Sequence, residues 1–338
     1  MGVGVGVGVV TKIAEVTLST TLSTMPGAKA RISPKIAATW ISAISTITPK
    51  RNGLGVEKSA FAMALAMTRR PATGNLTHFD SASARLHYCM TKQRGGLTTM
   101  TAFETTSCMH DGMAMDGFLA RPEGGAGPHP TVILFPGAGG TGPTFESNVR
   151  ALASMGYLVV AASVYDSGAD LSTPEGTGAH YIGLLERPEL LRARVVEWFE
   201  HICAMDGADE TRLAAIGYCF GGKCVLELAR SGADLKCVVS YHGILPTHAP
   251  AQKGGVIAEV VAFCAGRDPF APIDDYLAFQ TEMREAEVVH QLTLFSHAQH
   301  SFTDPDHEGV APGIAYDAQY HRVSWASTLA LLDYHLKA

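Results

Sequence analysis

The sequence predicts an α/β fold, with a mostly parallel central sheet, helices on both faces, and a low-complexity, disordered extension in front. Three observations carry this expectation. From about residue 100 onward, short apolar runs of strand length alternate with segments that are apolar at helical spacing. One strand, 213–216, passes to its helix through Gly217-Tyr218-Cys219-Phe220-Gly221-Gly222, a sharp turn flanked by glycine. The charge also breaks: residues 1–99 hold twelve Lys and Arg against three acids, +9, whereas the remainder holds fourteen against twenty-nine, −15. Two pieces so different are not expected to share one folded unit, so residues 1–99 are read as the extension and 100–338 as the domain.

Residues 1–10 are a Gly-Val alternation. Glycine loses the most backbone freedom on ordering, so the valines do not make this a good strand. Residues 11–99 are rich in Ser, Thr, Ala and basic residues and hold no sustained period. Three readings compete: a targeting peptide, a functional disordered tail, and an upstream extension not normally made, with the start at Met100. The third is preferred, because Met100 directly precedes the first convincing strand signals. A secretory signal fits least, since the start has no basic n-region.

The domain then reads in order. Residues 104–110 and 115–121 form a hairpin across Asp111-Gly112, and 122–130 is a Gly/Pro loop. A buried strand at 131–135 ends in Pro136-Gly137-Ala138-Gly139-Gly140. A helix at 145–155 and a strand at 157–162 follow, and then an irregular loop, 167–182. A long helix is expected at 190–205, next the turn strand 213–216 and its helix 224–230, and a strand at 237–241. A second irregular loop spans 247–255. Strand 259–265, helix 274–286, strand 288–295 and a closing helix 319–335 complete the chain. In such sheets, sites lie at the C-terminal ends of the strands. The turn at Cys219, the glycine loop after Phe135, Asp268 and His300 all fall there.

Composition narrows the function classes. The 338 residues are 46% hydrophobic and 17% charged, ordinary for a globular chain. No apolar run reaches the ~18 residues that span a membrane. A net charge of −6 argues against nucleic acid as a partner. Seven cysteines, an odd number without paired close spacing, fit free thiols in a reducing, cytoplasmic setting. No long apolar edge or heptad pattern stands out, so a monomer acting on a small molecule is expected.

Cys219 has two readings. It is a small buried residue in a glycine-rich turn, or a nucleophile held on a strained strand-to-helix elbow. The following helix supports the second, because its unpaired N–H groups favour an anion at the sulfur. A thiolate hydrolase also needs a base, an orienter for the base, and oxyanion donors. His300 lies just past the last strand, and Asp268 just past the strand before it. Alone, Asp268-Pro269 reads as a turn cap and His300 as a polar loop residue. Together with Cys219 they stand in the order nucleophile, acid, histidine, each at a strand end. A metal site is disfavoured: His297, His300 and His307 lack the helical spacing and glutamate of a zinc-hydrolase motif, and Cys219 and Cys224 are spaced too widely for a zinc knuckle. No dinucleotide or phosphate loop is present, and no cofactor is expected.

The segments 217–222, Tyr241-His242-Gly243-Ile244-Leu245-Pro246, Asp268-Pro269-Phe270 and His300-Ser301-Phe302 resemble those of the dienelactone hydrolases, carboxymethylenebutenolidase-like members of the α/β-hydrolase fold. The resemblance covers about residues 104–337. It implies an ester or lactone hydrolase with Cys219 as nucleophile, His300 as base and Asp268 as its orienter. It further implies the backbone N–H groups of Phe220 and Gly137 as oxyanion donors. The chain departs from the pattern twice. Members that open dienelactone carry a glutamate where Phe135-Pro136 stands here, and a substrate-gripping arginine where Asp304 stands. The alternative from another class is a non-catalytic binding protein of the same fold. A redox-sensing thiol is a third reading, weakened because Cys224, one helical turn on, is badly placed to pair with Cys219.

Overall fold

The computed structural model describes residues 102–124 and 127–337, so the expectations for residues 1–99 and for a start at Met100 lie outside the described residues. Eight strands form one sheet: β1 (Glu104–His110), β2 (Met113–Ala120), β3 (His129–Phe135), β4 (Leu158–Ala162), β5 (Ala208–Tyr218), β6 (Cys237–Tyr241), β7 (Glu259–Ala265) and β8 (His290–Phe295). Their order is β1-β2-β4-β3-β5-β6-β7-β8. β2 pairs antiparallel with β1 and β4, and every pairing from β4 to β8 is parallel. The parallel core follows from buried strands such as Val132-Ile133-Leu134-Phe135, which have no polar face to show water.

Among the described residues, six α-helices cover the sheet: α1 (Pro143–Ser154), α2 (Pro174–Leu185), α3 (Pro188–Cys203), α4 (Phe220–Arg230), α5 (Ile273–Glu285) and α6 (Ala318–Leu336). Alternation along β3 assigns the two faces. Ile133 and Phe135 pack with Trp198 of α3, Leu228 of α4 and Phe279 of α5. Val132 and Leu134 pack with Val149 of α1 and Leu332 of α6. Each face is therefore a separate apolar layer, the two-sided burial expected of a parallel sheet. Among the described residues no helix is long and apolar enough to cross a membrane.

Two elements differ from the sequence expectation. The loop expected at 167–182 gives way at residue 174 to α2, which starts where the Thr173 side chain accepts from the Gly176 N–H, with Pro174 at the first position and Glu175 in the first turn. β5 begins at Ala208, not at residue 213. Its polar first half joins β3 through His129, with a register shift between His129 and Thr131. Segment 247–255 has neither helix nor strand, as expected.

Candidate active site

The elbow forms where β5 runs into α4. Cys219 holds φ 55° and ψ −113°, a region that L-residues rarely occupy. Its own N–H donates to the Tyr241 carbonyl at 2.9 Å, tying the strained residue to β6. The turn closes only because its flanks lack side chains. A Cβ on Gly217 would lie 1.9 Å from the Gly221 carbonyl oxygen, and one on Gly221 would lie 2.0 Å from that of Phe135. No side chain caps α4, so the unpaired N–H groups of its first turn lie beside Cys219.

The other two predicted residues arrive from neighbouring strand ends. The loop after β7 carries Asp268 and the loop after β8 carries His300. The Nδ1 of His300 lies 2.7 Å from Asp268 Oδ2, with both side chains buried. The second Asp268 oxygen accepts from the Phe270 N–H at 2.8 Å, which fixes the carboxylate. The His300 backbone is clamped by bonds to Gly313 and Ala315. The His300 Nε2 is buried without a well-aligned partner, and the Cys219 thiolate is the charge that reaches it alongside Asp268. Burial alone would push His300 down. The Asp268 carboxylate and the Cys219 thiolate, by charge and hydrogen bonding, outweigh burial and hold its pKa well above the ordinary histidine value. This geometry sets a protonated His300 ring against the Cys219 sulfur.

The glycine loop after β3 comes up against the sulfur: the position a Gly137 Cβ would take is 3.7 Å from Cys219 Cβ. A bond from the Gly140 N–H to the Gly137 carbonyl tightens that loop. The Tyr165 hydroxyl also donates to the Ala138 carbonyl at 3.0 Å. The Tyr165 ring stacks on Phe220, centroids 5.9 Å apart, and Tyr181 meets Phe220 edge-on. The loop that carries Gly137 and the start of α4 that carries Phe220 are thus braced against each other.

The sequence places His242 in the Tyr241–Pro246 motif and assigns it no role. It sits at φ 39°, buried, with its ring centroid 5.1 Å from that of His300. Its Nε2 lies 2.9 Å from the Thr303 hydroxyl oxygen. Burial, then the His300 charge, push its pKa far down, so it stands as a neutral ring against the imidazolium. Nothing local marks it except a histidine before Gly243 at a strand end.

Buried charge pins the loop after β6. Glu227 of α4 is fully buried and paired to Arg192 (2.6 Å), Lys223 (3.1 Å) and Arg230 (3.3 Å). Lys223 also donates to the Pro246 carbonyl, Arg230 to that of Leu245 and Arg192 to that of Ala249. Burial works against the Glu227 charge, but Lys223, Arg230 and Arg192 outweigh it and hold the carboxyl below its ordinary range.

Cys219, His300, His242 and Gly137 open onto a cavity of about 560 Å³, within the size range of small-molecule sites. Leu171, Phe145, Val310 and Ile314 give it apolar walls. A second, smaller hollow of about 310 Å³ between α6 and the β7–β8 edge holds none of these residues. Among the described residues, no group of three or more His, Cys, Asp or Glu side chains is disposed to hold a metal ion.

The strand order, the elbow and the strand-end positions of Asp268 and His300 define an α/β hydrolase. Residues 115–336 match the dienelactone hydrolase family, and the chain belongs to that family. It is a hydrolase of that type, acting on ester or lactone bonds. An uncharacterized protein of Caenorhabditis elegans is 31% identical over 155 residues, 44% of this chain and 95% of that one. A Yersinia pestis protein provisionally named carboxymethylenebutenolidase is 22% identical, covering 65% of this chain and 86% of its own. Solved structures similar to this chain include the following two. One, titled m3DLH, is 30% identical with a TM-score of 0.64, over 70% of this chain and 100% of that one. The other, a dienelactone hydrolase-like promiscuous phosphotriesterase from metagenomic libraries, is 29% identical with a TM-score of 0.63, over 70% and 99%.

Proposed function

We propose that the protein hydrolyses carboxylic esters or lactones through an acyl-enzyme on Cys219. The Cys219 Sγ attacks the carbonyl carbon, and the carbonyl oxygen becomes an oxyanion received by the N–H groups of Phe220 and Gly137. The intermediate collapses, the carbon–oxygen bond to the leaving group breaks, and the imidazolium of His300 gives that oxygen its proton. Water then enters, His300 takes one of its protons, the hydroxide attacks the acyl carbon, and the sulfur–carbon bond breaks. Asp268 orients the His300 ring throughout and stabilises its charge whenever the ring is protonated. The observation that carries this reading is the positive-φ cysteine at the elbow beside a buried His300–Asp268 pair.

The test compares the full chain with Cys219→Ala on p-nitrophenyl acetate and on cis-dienelactone. The reading expects ester turnover by the wild type and none by the variant, with both folded. Turnover surviving in the variant sinks it. If folded, thiol-reduced wild type cleaves neither substrate, a non-catalytic binding role takes its place.

A further inference from the structure

The cavity carries an uneven charge. Among the described residues that line it, none is lysine or arginine, whereas Glu175, Asp304 and Asp306 are all on its wall. These carboxylates come from the start of α2 and from the loop after His300, so two separate elements bring the same sign to one opening. Both loop carboxylates are held in place. Asp304 Oδ1 accepts from the Asp306 N–H at 3.0 Å, and Asp306 Oδ2 accepts from the Thr144 hydroxyl at 3.2 Å, at the start of α1. The field of Asp304 reaches inward to Tyr218, the residue before Cys219, where it adds to the burial that pushes that phenol up.

The basic side chains on the wall do not offset this. His242 is neutral, for the reasons given above. The charge of His300 is already taken by Asp268, 2.7 Å away, so it is not free for an incoming anion. His307 lies 3.4 Å from Asp304. A carboxylate or phosphate entering the cavity therefore meets three acids and no unshared cation.

We propose that the cavity selects uncharged or cationic esters and turns away substrates that bear an anionic group. The specificity-determining residues are Glu175, Asp304 and Asp306, and the apolar walls receive the rest of the substrate. For turnover the inference rests on the proposed Cys219 chemistry. For access it requires only that Cys219 react with a thiol reagent.

Two measurements on the full chain test it. The first labels Cys219 with methanethiosulfonates ending in trimethylammonium, in sulfonate or in an uncharged group. Modification is read on the Cys219 peptide by mass spectrometry, and each rate is normalised to that of the same reagent with free 2-mercaptoethanol. The cationic reagent should exceed the anionic one by about tenfold at low salt, with the gap closing as ionic strength rises. Asp304→Asn with Asp306→Asn, which keeps the hydrogen-bonding shapes, should narrow that ratio, with the uncharged reagent as the internal reference for any loss of fold. Equal or faster labelling by the sulfonate overturns the proposal, and so does a ratio that ignores salt. The second compares acetate esters of equal length ending in trimethylammonium, tert-butyl or carboxylate. The carboxylate ester should have the lowest kcat/KM, and its being the best substrate overturns the proposal. If no ester turns over while the labelling rates still rank by charge, the hydrolase reading fails and the charge selection stands.

Discussion

The elbow makes a demanding prediction at Gly217, where one methyl group should cost most of the activity. In Gly217→Ala the new Cβ would sit 1.9 Å from the Gly221 oxygen, 2.2 Å from its carbon and 2.7 Å from the Gly222 nitrogen. All three are backbone atoms, so no side chain can swing aside. Real Cβ contacts do not fall below 3.0 Å, so the first turn of α4 must back away by roughly 1 Å. That turn carries Phe220, and its movement shifts the oxyanion donor relative to Cys219. A misplacement of about 1 Å costs on the order of 100-fold in rate, and overpacking adds about 1–3 kcal/mol of destabilisation. The assay is kcat/KM on p-nitrophenyl acetate, with thermal unfolding in parallel. Gly183→Ala in α2 is the control. Its Cβ would meet nothing closer than 3.7 Å, and as a helix-interior substitution it should be neutral or stabilise by up to about 1 kcal/mol. Gly217→Ala within twofold of wild type in kcat/KM, at unchanged Tm, would refute the reasoning.

Three further outcomes follow from the same geometry. Asp268→Asn removes the largest charge holding His300 up, so burial weighs more and the ring titrates lower than in the wild type. kcat/KM should fall about 10²–10⁴-fold, and NMR titration of His300, protonated through neutral pH in the wild type, should show the downward shift. In the wild type that imidazolium contributes stability fully below the ordinary histidine value, lost only as pH climbs towards about 10. Glu227→Gln leaves Lys223 and Arg192 buried without their carboxylate and should cost about 3–5 kcal/mol in denaturant unfolding. Because the Glu227 pKa is depressed, its contribution is present above the ordinary carboxylate range and lost as pH falls, so the two proteins should converge in acid. A gap that persists at low pH would contradict the pairing. Tyr165→Phe deletes the bond to Ala138 and should cost about 1 kcal/mol of stability, with a fall in kcat larger than any rise in KM. An unchanged kcat would mean that the Gly137 loop needs no brace.

The sheet was legible where strands are buried on both faces, because runs such as 131–135 leave no polar alternation to misread. The elbow was legible because the steric demand falls on Gly217 and Gly221, each two positions from the cysteine in sequence. α2 was not, because Gly176, Gly178 and Gly183 dilute its helical pattern, although Thr173-Pro174-Glu175 carried a start signal. The first half of β5, Asp209-Glu210-Thr211-Arg212, is polar enough to read as loop and becomes strand only through its pairing with β3. Lys223, Glu227 and Arg230 have the spacing of a solvated helix face, yet they are buried because the 244–249 backbone lies over them. The position of His242 depends on Thr303, 61 residues away, and on His300, so no local pattern could reveal it. The charge of the cavity was visible at Asp304 alone. Glu175 and Asp306 joined it only once the loops were folded.

The most direct test of the account is to trap the acyl group. The full chain is mixed with p-nitrophenyl acetate, quenched in acid within the first turnovers, digested and examined by mass spectrometry. The account predicts an acetyl adduct on the peptide carrying Cys219, formed with an initial release of nitrophenolate stoichiometric with enzyme. Neither should appear in Cys219→Ala. Steady hydrolysis without an adduct on Cys219, continuing in the variant, would place the chemistry elsewhere and contradict the central claim.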